Sequence, residues 1–184
     1  HALTPYLDAL GNYDIQGLAR ANLLNARHCA ETMDEMFRAL LDISRLDAGA
    51  VKTDVQVFAM GPLLERIRME FEPQAQAKGL ALTVRSCDRT VLSDPALVER
   101  ILRNFLANAI RYTERGRILV GCRLHGGGLR VAVYDTGPGI ATAELAKIFE
   151  EFYQIGNPER DRAKGIGLGL AIVNRLAILL GTPV

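Results

Sequence analysis

The chain has almost no net charge, few cysteines and histidines, and no long apolar run. Its formal charge is +1, which offers neither nucleic acid nor an anionic membrane surface anything to attract it. The apolar runs are short and broken by charge, so no part of this segment is expected to contact or span a bilayer. No charged-then-apolar leader opens it, so no secretory signal is read. Cys29, Cys87 and Cys122 are isolated and odd in number. They suit neither a disulfide framework nor a metal knuckle. A reducing interior, hence a cytoplasmic location, suits them better, although a longer parent protein can still be membrane-anchored. His1, His28 and His125 stand at no metal-ligand spacing, which argues against zinc. What is there is ordinary for a globular protein: 49% apolar and 23% charged residues over 184 positions, room for one large domain or one average domain with an appendage.

Residues 15–46 contain no proline and a single glycine, Gly17. Ala30, Met33, Met36 or Phe37, Leu40, Ile43 and Leu46 recur every three or four positions, which predicts one long helix with a single apolar stripe. A helix of that length runs to about 45 Å, more than a small neighbouring domain covers, so the stripe calls for partner helices. Leu3, Leu7 and Leu10 predict a short helix before it, ending at Gly11-Asn12. The two make a hairpin whose first arm is too short, and that arm is expected to continue upstream of His1. Two such hairpins would form a four-helix dimer.

After Asp47-Ala48-Gly49 the pattern changes. Val55, Val57 and Ala59 alternate as a strand, residues 63–78 are helical, and residues 80–85 and 90–92 read as strands. Asp94-Pro95 is an N-cap followed by proline at the first helical position, opening a helix over residues 95–112. Ile118 to Leu124 and Leu129 to Val133 alternate around Gly126-Gly127-Gly128, an antiparallel hairpin with one buried face. Residues 168–180 close the chain as a helix. Strands and helices mix without a βαβ rhythm, so an α+β fold is expected, a helical hairpin followed by a two-layer α/β sandwich with a mixed sheet and three main helices.

Three short segments carry the chemistry. In residues 104–113 (NFLANAIRYT), Asn104 and Asn108 share one helix face, with Arg111 and Tyr112 a turn on. Paired amides suit a Mg²⁺ ion with polyphosphate oxygens, or they cap nearby backbone. In residues 135–140 (DTGPGI), Asp135 ends a strand, where a carboxylate can accept from an exocyclic amine, and Gly137 and Gly139 let backbone approach a flat ring. Read as a plain Asp-Thr-Gly, the same residues suit a homodimeric aspartic protease. In residues 165–170 (GIGLGL), a glycine-rich turn opens the last helix and points free N–H groups at anionic oxygens. It is neither a P-loop nor a Rossmann fingerprint. Between the last two segments, residues 154–164 are polar and read as a lid.

Taken in order, these segments resemble the catalytic core of bacterial two-component sensor histidine kinases, with the Bergerat-type (GHKL) nucleotide fold shared by gyrase, Hsp90 and MutL. NFLANAIRYT is similar to the N box, DTGPGI to the G1 box, IFEEFYQI (148–155) to the F box and GIGLGL to the G2 box. LLDISRLDAG (40–49) is similar to the end of a dimerisation hairpin. The resemblance implies residues 1–50 as a partial dimerisation and phosphotransfer hairpin and 51–184 as an ATP-binding domain short of its last strand. It implies ATP and Mg²⁺, with Asn108 on the metal and Asn104, Arg111 and Tyr112 near the phosphates. Asp135 would bind the adenine amine, with Gly137, Gly139 and Ile140 at the pocket's edge. Phe149 and Phe152 would pack the base of the lid, Arg162 and Lys164 would reach the terminal phosphate, and Gly165, Gly167, Leu168 and Gly169 would line the phosphates. The family's reaction passes the γ-phosphoryl to a histidine, then to an aspartate of a response-regulator receiver domain, within a homodimer.

One residue sorts the branches. The ATPases of this resemblance carry a Glu one turn before the metal-binding Asn; here that residue is Asn104, a poor base, which favours transfer to a side chain over transfer to water. One position departs from the pattern. His1 is followed by Ala2 rather than an acidic residue, so the acceptor is expected upstream and His1 is the second choice. The alternatives are a degenerate kinase that holds nucleotide or a partner without chemistry and, more remotely, the protease.

Overall fold

The structure, a computed structural model, describes residues 18–155 and 166–184. The short helix expected at Leu3, Leu7 and Leu10, and most of the segment read as a lid, lie outside the described residues. The elements in order are α1 (Leu18–Asp47), β1 (Gln56–Ala59), α2 (Met60–Ala77), β2 (Ala81–Val84), β3 (Thr90–Ser93), α3 (Pro95–Tyr112), β4 (Arg117–His125), β5 (Gly128–Asp135), a short 3-10 turn (Thr142–Glu144) and α4 (Gly169–Leu180). Among them, no helix is long and apolar enough to cross a membrane.

The strands form two sheets. β1 and β3 make an antiparallel ribbon of their own. The mixed sheet is three-stranded: β2 runs parallel to β4, and β4 antiparallel to β5. The β4–β5 hairpin closes through Gly126 and Gly127, both with positive φ, as a two-residue turn matching the strand twist demands. One face of this sheet is covered by α2 and α3. Leu63, Leu64 and Ile67 of α2, Leu102 and Leu106 of α3, and Ile118 and Val120 of β4 form the main core.

Helix α3 starts where the sequence implies, and Asp94 anchors it. Its Oδ1 accepts from the Ala96 and Leu97 N–H groups and its Oδ2 from the Asp54 N–H at 2.8 Å, which also fixes the approach to β1. The far end of α3 is held by Lys78, whose ammonium donates to the Ile110 and Arg111 carbonyls at 2.7 and 2.6 Å. The last turn of α3, with Arg111 and Tyr112, is thus fixed from α2.

Helix α2 begins at Met60, three residues before the expected start. Pro62 is tolerated in the first turn, where its missing N–H has no helical partner. Glycine is required there, because a Cβ on residue 61 would lie 2.5 Å from the Cys87 carbonyl oxygen. The cysteine expectation is overturned: Cys87 and Cys122 form a disulfide, with Cα atoms 6.4 Å apart, while Cys29 is free. The cause is register. β2 pairs with β4 as Val84↔Val120, so the residues just after β2 run alongside those after Val120, and a separation of 35 in sequence closes in space.

Arg66 of α2 bonds to Glu99 of α3 at 2.7 Å, with Arg103 beside it. The Arg66 guanidinium holds the Glu99 carboxyl below its ordinary 4.5. The unfolded chain therefore takes up this proton first. The stabilisation is complete above about pH 4.5 and is lost as pH falls through the lower folded value. Exposed pairs are worth about 0.5 kcal/mol, so Glu99→Gln should lower the melting temperature at pH 7 by about 1–2 °C. It should lower it by less at pH 3, as thermal unfolding by circular dichroism would register.

Helix α1 splits its stripe. Ala39, Leu40, Ile43 and Leu46 pack on Leu97, Ile101 and Phe105 of α3 and Ile172 and Leu176 of α4. Met33 and Phe37, in the same stripe, remain 55% and 61% exposed. Asp42 pairs with Arg100, and Asp47 with Arg175, which also holds Glu151.

Candidate functional site

Between α3, the first turn of α4 and α1 lies a cleft of about 230 Å³. Asn104, Asn108, Arg111 and Tyr112 line it from α3, and Gly167, Leu168 and Gly169 line it from the approach to α4. The amides of α3 and the glycine-rich turn before α4 thus line one cleft. The contact is close: a Cβ on Gly169 would lie 2.9 Å from Asn104 Oδ1 and 4.0 Å from Asn108 Nδ2. Asn104 Nδ2 donates to the Arg100 carbonyl at 2.9 Å. That bond is the backbone-capping alternative for this amide, and it aims Oδ1 across at α4.

Leu168, the N-cap of α4, supplies no side-chain capping bond. The first residues of this 12-residue helix line the cleft beside the amides, with the positive end of the helix dipole behind them.

Asp135 does not line this cleft. It stands at the end of β5, exposed, beside the C-terminal end of α3. Its Oδ1 accepts from the Gly137 N–H at 2.8 Å and from the Thr113 hydroxyl at 3.4 Å. A Cβ on Gly137 would lie 2.7 Å from that Oδ1 and 3.3 Å from the Tyr112 carbonyl oxygen, so the turn lies flat on the end of α3. The carboxylate and the cleft therefore share one landmark, residues 112 and 113. Gly139 has φ 72° and Ile140 is 45% exposed on the same turn. Phe149 is half-buried. Phe152 has φ 60°, a strained value for a bulky residue, and its N–H donates to the Gly167 carbonyl at 3.0 Å. This clasp joins the segment before residue 156 to the turn before α4. His1, Arg162, Lys164 and Gly165 lie outside the described residues.

Several residues in or beside the cleft were not singled out from the sequence. Glu35 and Ala39 reach the cleft from α1, and Ile148 and Tyr153 from the segment before residue 156. Thr113, fully buried, is the hydroxyl that holds Asp135. It sits in the quoted NFLANAIRYT block, yet nothing local marks it, because its partner comes from the end of β5.

A mixed sheet under two helices, paired amides on the middle helix and an uncapped glycine-rich helix start describe a nucleotide-binding class. The family described as histidine kinase-, DNA gyrase B- and HSP90-like ATPase matches residues 93–184, and the chain belongs to it. It is 34% identical over 148 residues to an uncharacterised sensor-like histidine kinase of Rhizobium meliloti (strain 1021), covering 79% of this chain and 28% of that protein. It is 27% identical over 188 residues to the sensor histidine kinase RcsC of Salmonella typhimurium, covering 96% of this chain and 20% of that protein. A crystal structure of full-length ShkA in complex with AMPPNP superposes with a TM-score of 0.77 at 32% identity, covering 96% of this chain and 37% of that one. The chain thus spans under a third of the length of these two curated relatives. Membership of this family leaves the protease alternative for Asp135-Thr136-Gly137 without support.

Proposed function

We propose that the chain is the catalytic core of a sensor histidine kinase, binding ATP with Mg²⁺ for phosphoryl transfer to a histidine and relay to a response-regulator aspartate. The observation that carries this reading is the contact between Asn104, Asn108 and Gly169 at the uncapped start of α4. It places neutral oxygen donors and backbone N–H groups around one small volume, a set that fits a metal-bound polyphosphate. At about 230 Å³ the cleft is below the usual 300–1,000 Å³ of a whole ligand site, so it suits the phosphate tail, with the base lying beyond Tyr112 toward Asp135.

Bound there, ATP would supply the phosphoryl group. Asn108 Oδ1 would face the metal, and Arg111 and the Tyr112 hydroxyl would neutralise phosphate oxygens. Thr113 and the Gly137 N–H orient the Asp135 carboxylate so that its second oxygen can accept from an exocyclic amine. Asn104 cannot take a proton from water, which favours a protein acceptor. The reading extends to a homodimer through a hairpin over residues 1–50, supported by exposed Leu24, Met33, Phe37 and Leu41 on α1. It also extends to an ATP-binding domain over residues 51–184, a cytoplasmic setting and a histidine acceptor upstream of His1.

Titration with a fluorescent ATP analogue tests the reading. Binding should require Mg²⁺ and weaken about tenfold or more in Asn108→Ala and in Asp135→Asn, each removing one charged or metal-directed bond of about 1.5–3 kcal/mol. Binding indifferent to Mg²⁺ and to both substitutions would refute it.

A further inference from the structure

The open face of the three-stranded sheet carries a charge cluster far from any use in the cleft. Leu82, Val84, Ile118, Val120, Val131 and Val133 pack on the core under α2 and α3, so alternate residues of the same strands face the other way. At the hairpin end that outer face holds Arg85, Arg123 and Arg130, all exposed. Arg123 stands directly opposite Arg130 in the β4–β5 register. Arg85 follows β2, its N–H donating to the Val120 carbonyl at 2.8 Å. Its side chain runs over Gly121, where an added Cβ would lie 3.8 Å from the Arg85 Cβ and Cγ. Gly121 in turn pairs with Ala132, so the floor between the three arginine stems is backbone and one methyl group.

Like charges directly opposite on a sheet repel, and nothing on this face neutralises them. Among the described residues, none of the three arginines has an ion-pair partner. The acid nearest in sequence, Asp88, lies 3.7 Å from Arg89 instead. The helices treat arginine differently: Arg66, Arg68, Arg100, Arg103 and Arg175 each hold a carboxylate. The cluster is also held in place. Cys87, two residues after Arg85, is bonded to Cys122, the residue before Arg123. The disulfide therefore fixes the spacing of Arg85 and Arg123 from the core side of the sheet.

We propose that this face binds an acidic segment of a protein partner, whose carboxylates pair with Arg85, Arg123 and Arg130. The planar fork of arginine takes a carboxylate through two parallel bonds, and the small residues between the stems let an extended chain lie close to the sheet. Leu119 and Tyr134, opposite each other farther along the same face, add apolar and aromatic contact of the kind protein interfaces favour. Three strands make a face only about 10–15 Å wide, which suits a short segment rather than a whole folded surface. Anionic membranes are bound through clusters of about four to eight basic groups, and nucleic acid through a broad positive field. Here three arginines cluster on a chain of net charge +1, which favours the peptide.

Fluorescence anisotropy with a fluorescein-labelled peptide of about six glutamates, roughly 20 Å when extended, tests this on the whole chain with its disulfide intact. Binding at low salt should weaken about fivefold in Arg123→Ala and in Arg130→Ala, and tenfold or more, at about the level of detection, when both are replaced by glutamate. Arg66→Ala, which removes an equal charge elsewhere, should leave it unchanged. Arg123→Ala should also raise the melting temperature by about 1–2 °C, because it relieves the opposed charges. A fall there would give the arginine a structural role and count against the proposal. No binding, or equal binding by all variants, overturns it. Displacement of the peptide by ATP with Mg²⁺ would place it in the cleft and overturn the assignment to the sheet. Phosphatidylserine vesicles or a single-stranded oligonucleotide held more tightly than the peptide, with the same dependence on Arg123 and Arg130, would give the face to a phosphate surface and overturn the peptide as its occupant.

Discussion

Gly169→Val is expected to weaken Mg²⁺-dependent nucleotide binding by roughly a hundredfold while leaving the fold intact. Residue 169 is the first of α4, where a Cβ would sit 2.9 Å from Asn104 Oδ1 and within 4.0 Å of Asn108 Nδ2. Valine adds two methyl groups to that Cβ, in the space between the amides and the helix N–H groups. Overfilling a packed site costs about 1–3 kcal/mol, and here the cost falls on the volume a phosphate would need, hence the hundredfold figure. Gly169→Ala should show an intermediate loss, about tenfold. Stability should fall by about 1 kcal/mol, because the Asn104 side chain must shift to admit the new Cβ. Titration alongside thermal unfolding separates the effects: unchanged affinity with valine in place means the amides and the start of α4 do not share a ligand.

Asp94→Ala has the larger effect on stability. Its buried carboxylate, 4% exposed, accepts from three backbone N–H groups, those of Asp54, Ala96 and Leu97. Alanine leaves all three without that acceptor, removing the cap of the helix that carries Asn104 and Asn108 and releasing the approach to β1. Loss of an N-cap costs about 1 kcal/mol, and each buried group left unsatisfied costs about 1–3 kcal/mol more. A total of about 3 kcal/mol lowers the melting temperature of a chain this size by about 6–12 °C. Asp94→Asn, which keeps one oxygen acceptor, should recover a good part of that. A shift below 2 °C for alanine would mean that water or a relaxed backbone replaces the carboxylate.

Helix α3 was legible to the residue because its signals are local. Asp94-Pro95 starts it, and its amides fall on one face at a fixed spacing. The β4–β5 hairpin was legible for the same reason, since alternation and a glycine pair need no knowledge of the rest of the chain. The meeting of Asn104 with Gly169 was not readable from spacing; it followed from family resemblance. What escaped depended on long-range register. Cys87 meets Cys122 only because β2 lies parallel to β4, and an odd number of cysteines argued against any pairing. The first turn of α2 has no local mark either, since Gly61 is demanded by the Cys87 carbonyl from a later loop. Glu35 has no local signature, because the stripe on α1 calls for partner helices whereas half of it docks on α3 and α4. The strain at Phe152 has no sequence signature, since its positive φ is held by the Gly167 carbonyl from beyond the lid segment.

Asp135 is not among the residues that line the cleft, and the two meet at the end of α3, through Tyr112 and Thr113. A nucleotide that uses both must lie along that helix end, with its tail at α4 and its ring over the Gly137 turn.

A crystal structure with a non-hydrolysable ATP analogue and Mg²⁺ tests this most directly. The account predicts the phosphates against the first turn of α4, the metal on Asn108 Oδ1, and the exocyclic amine within hydrogen-bond distance of the Asp135 carboxylate. Nucleotide bound elsewhere, or bound at α4 with its ring pointing away from Asp135, would contradict it.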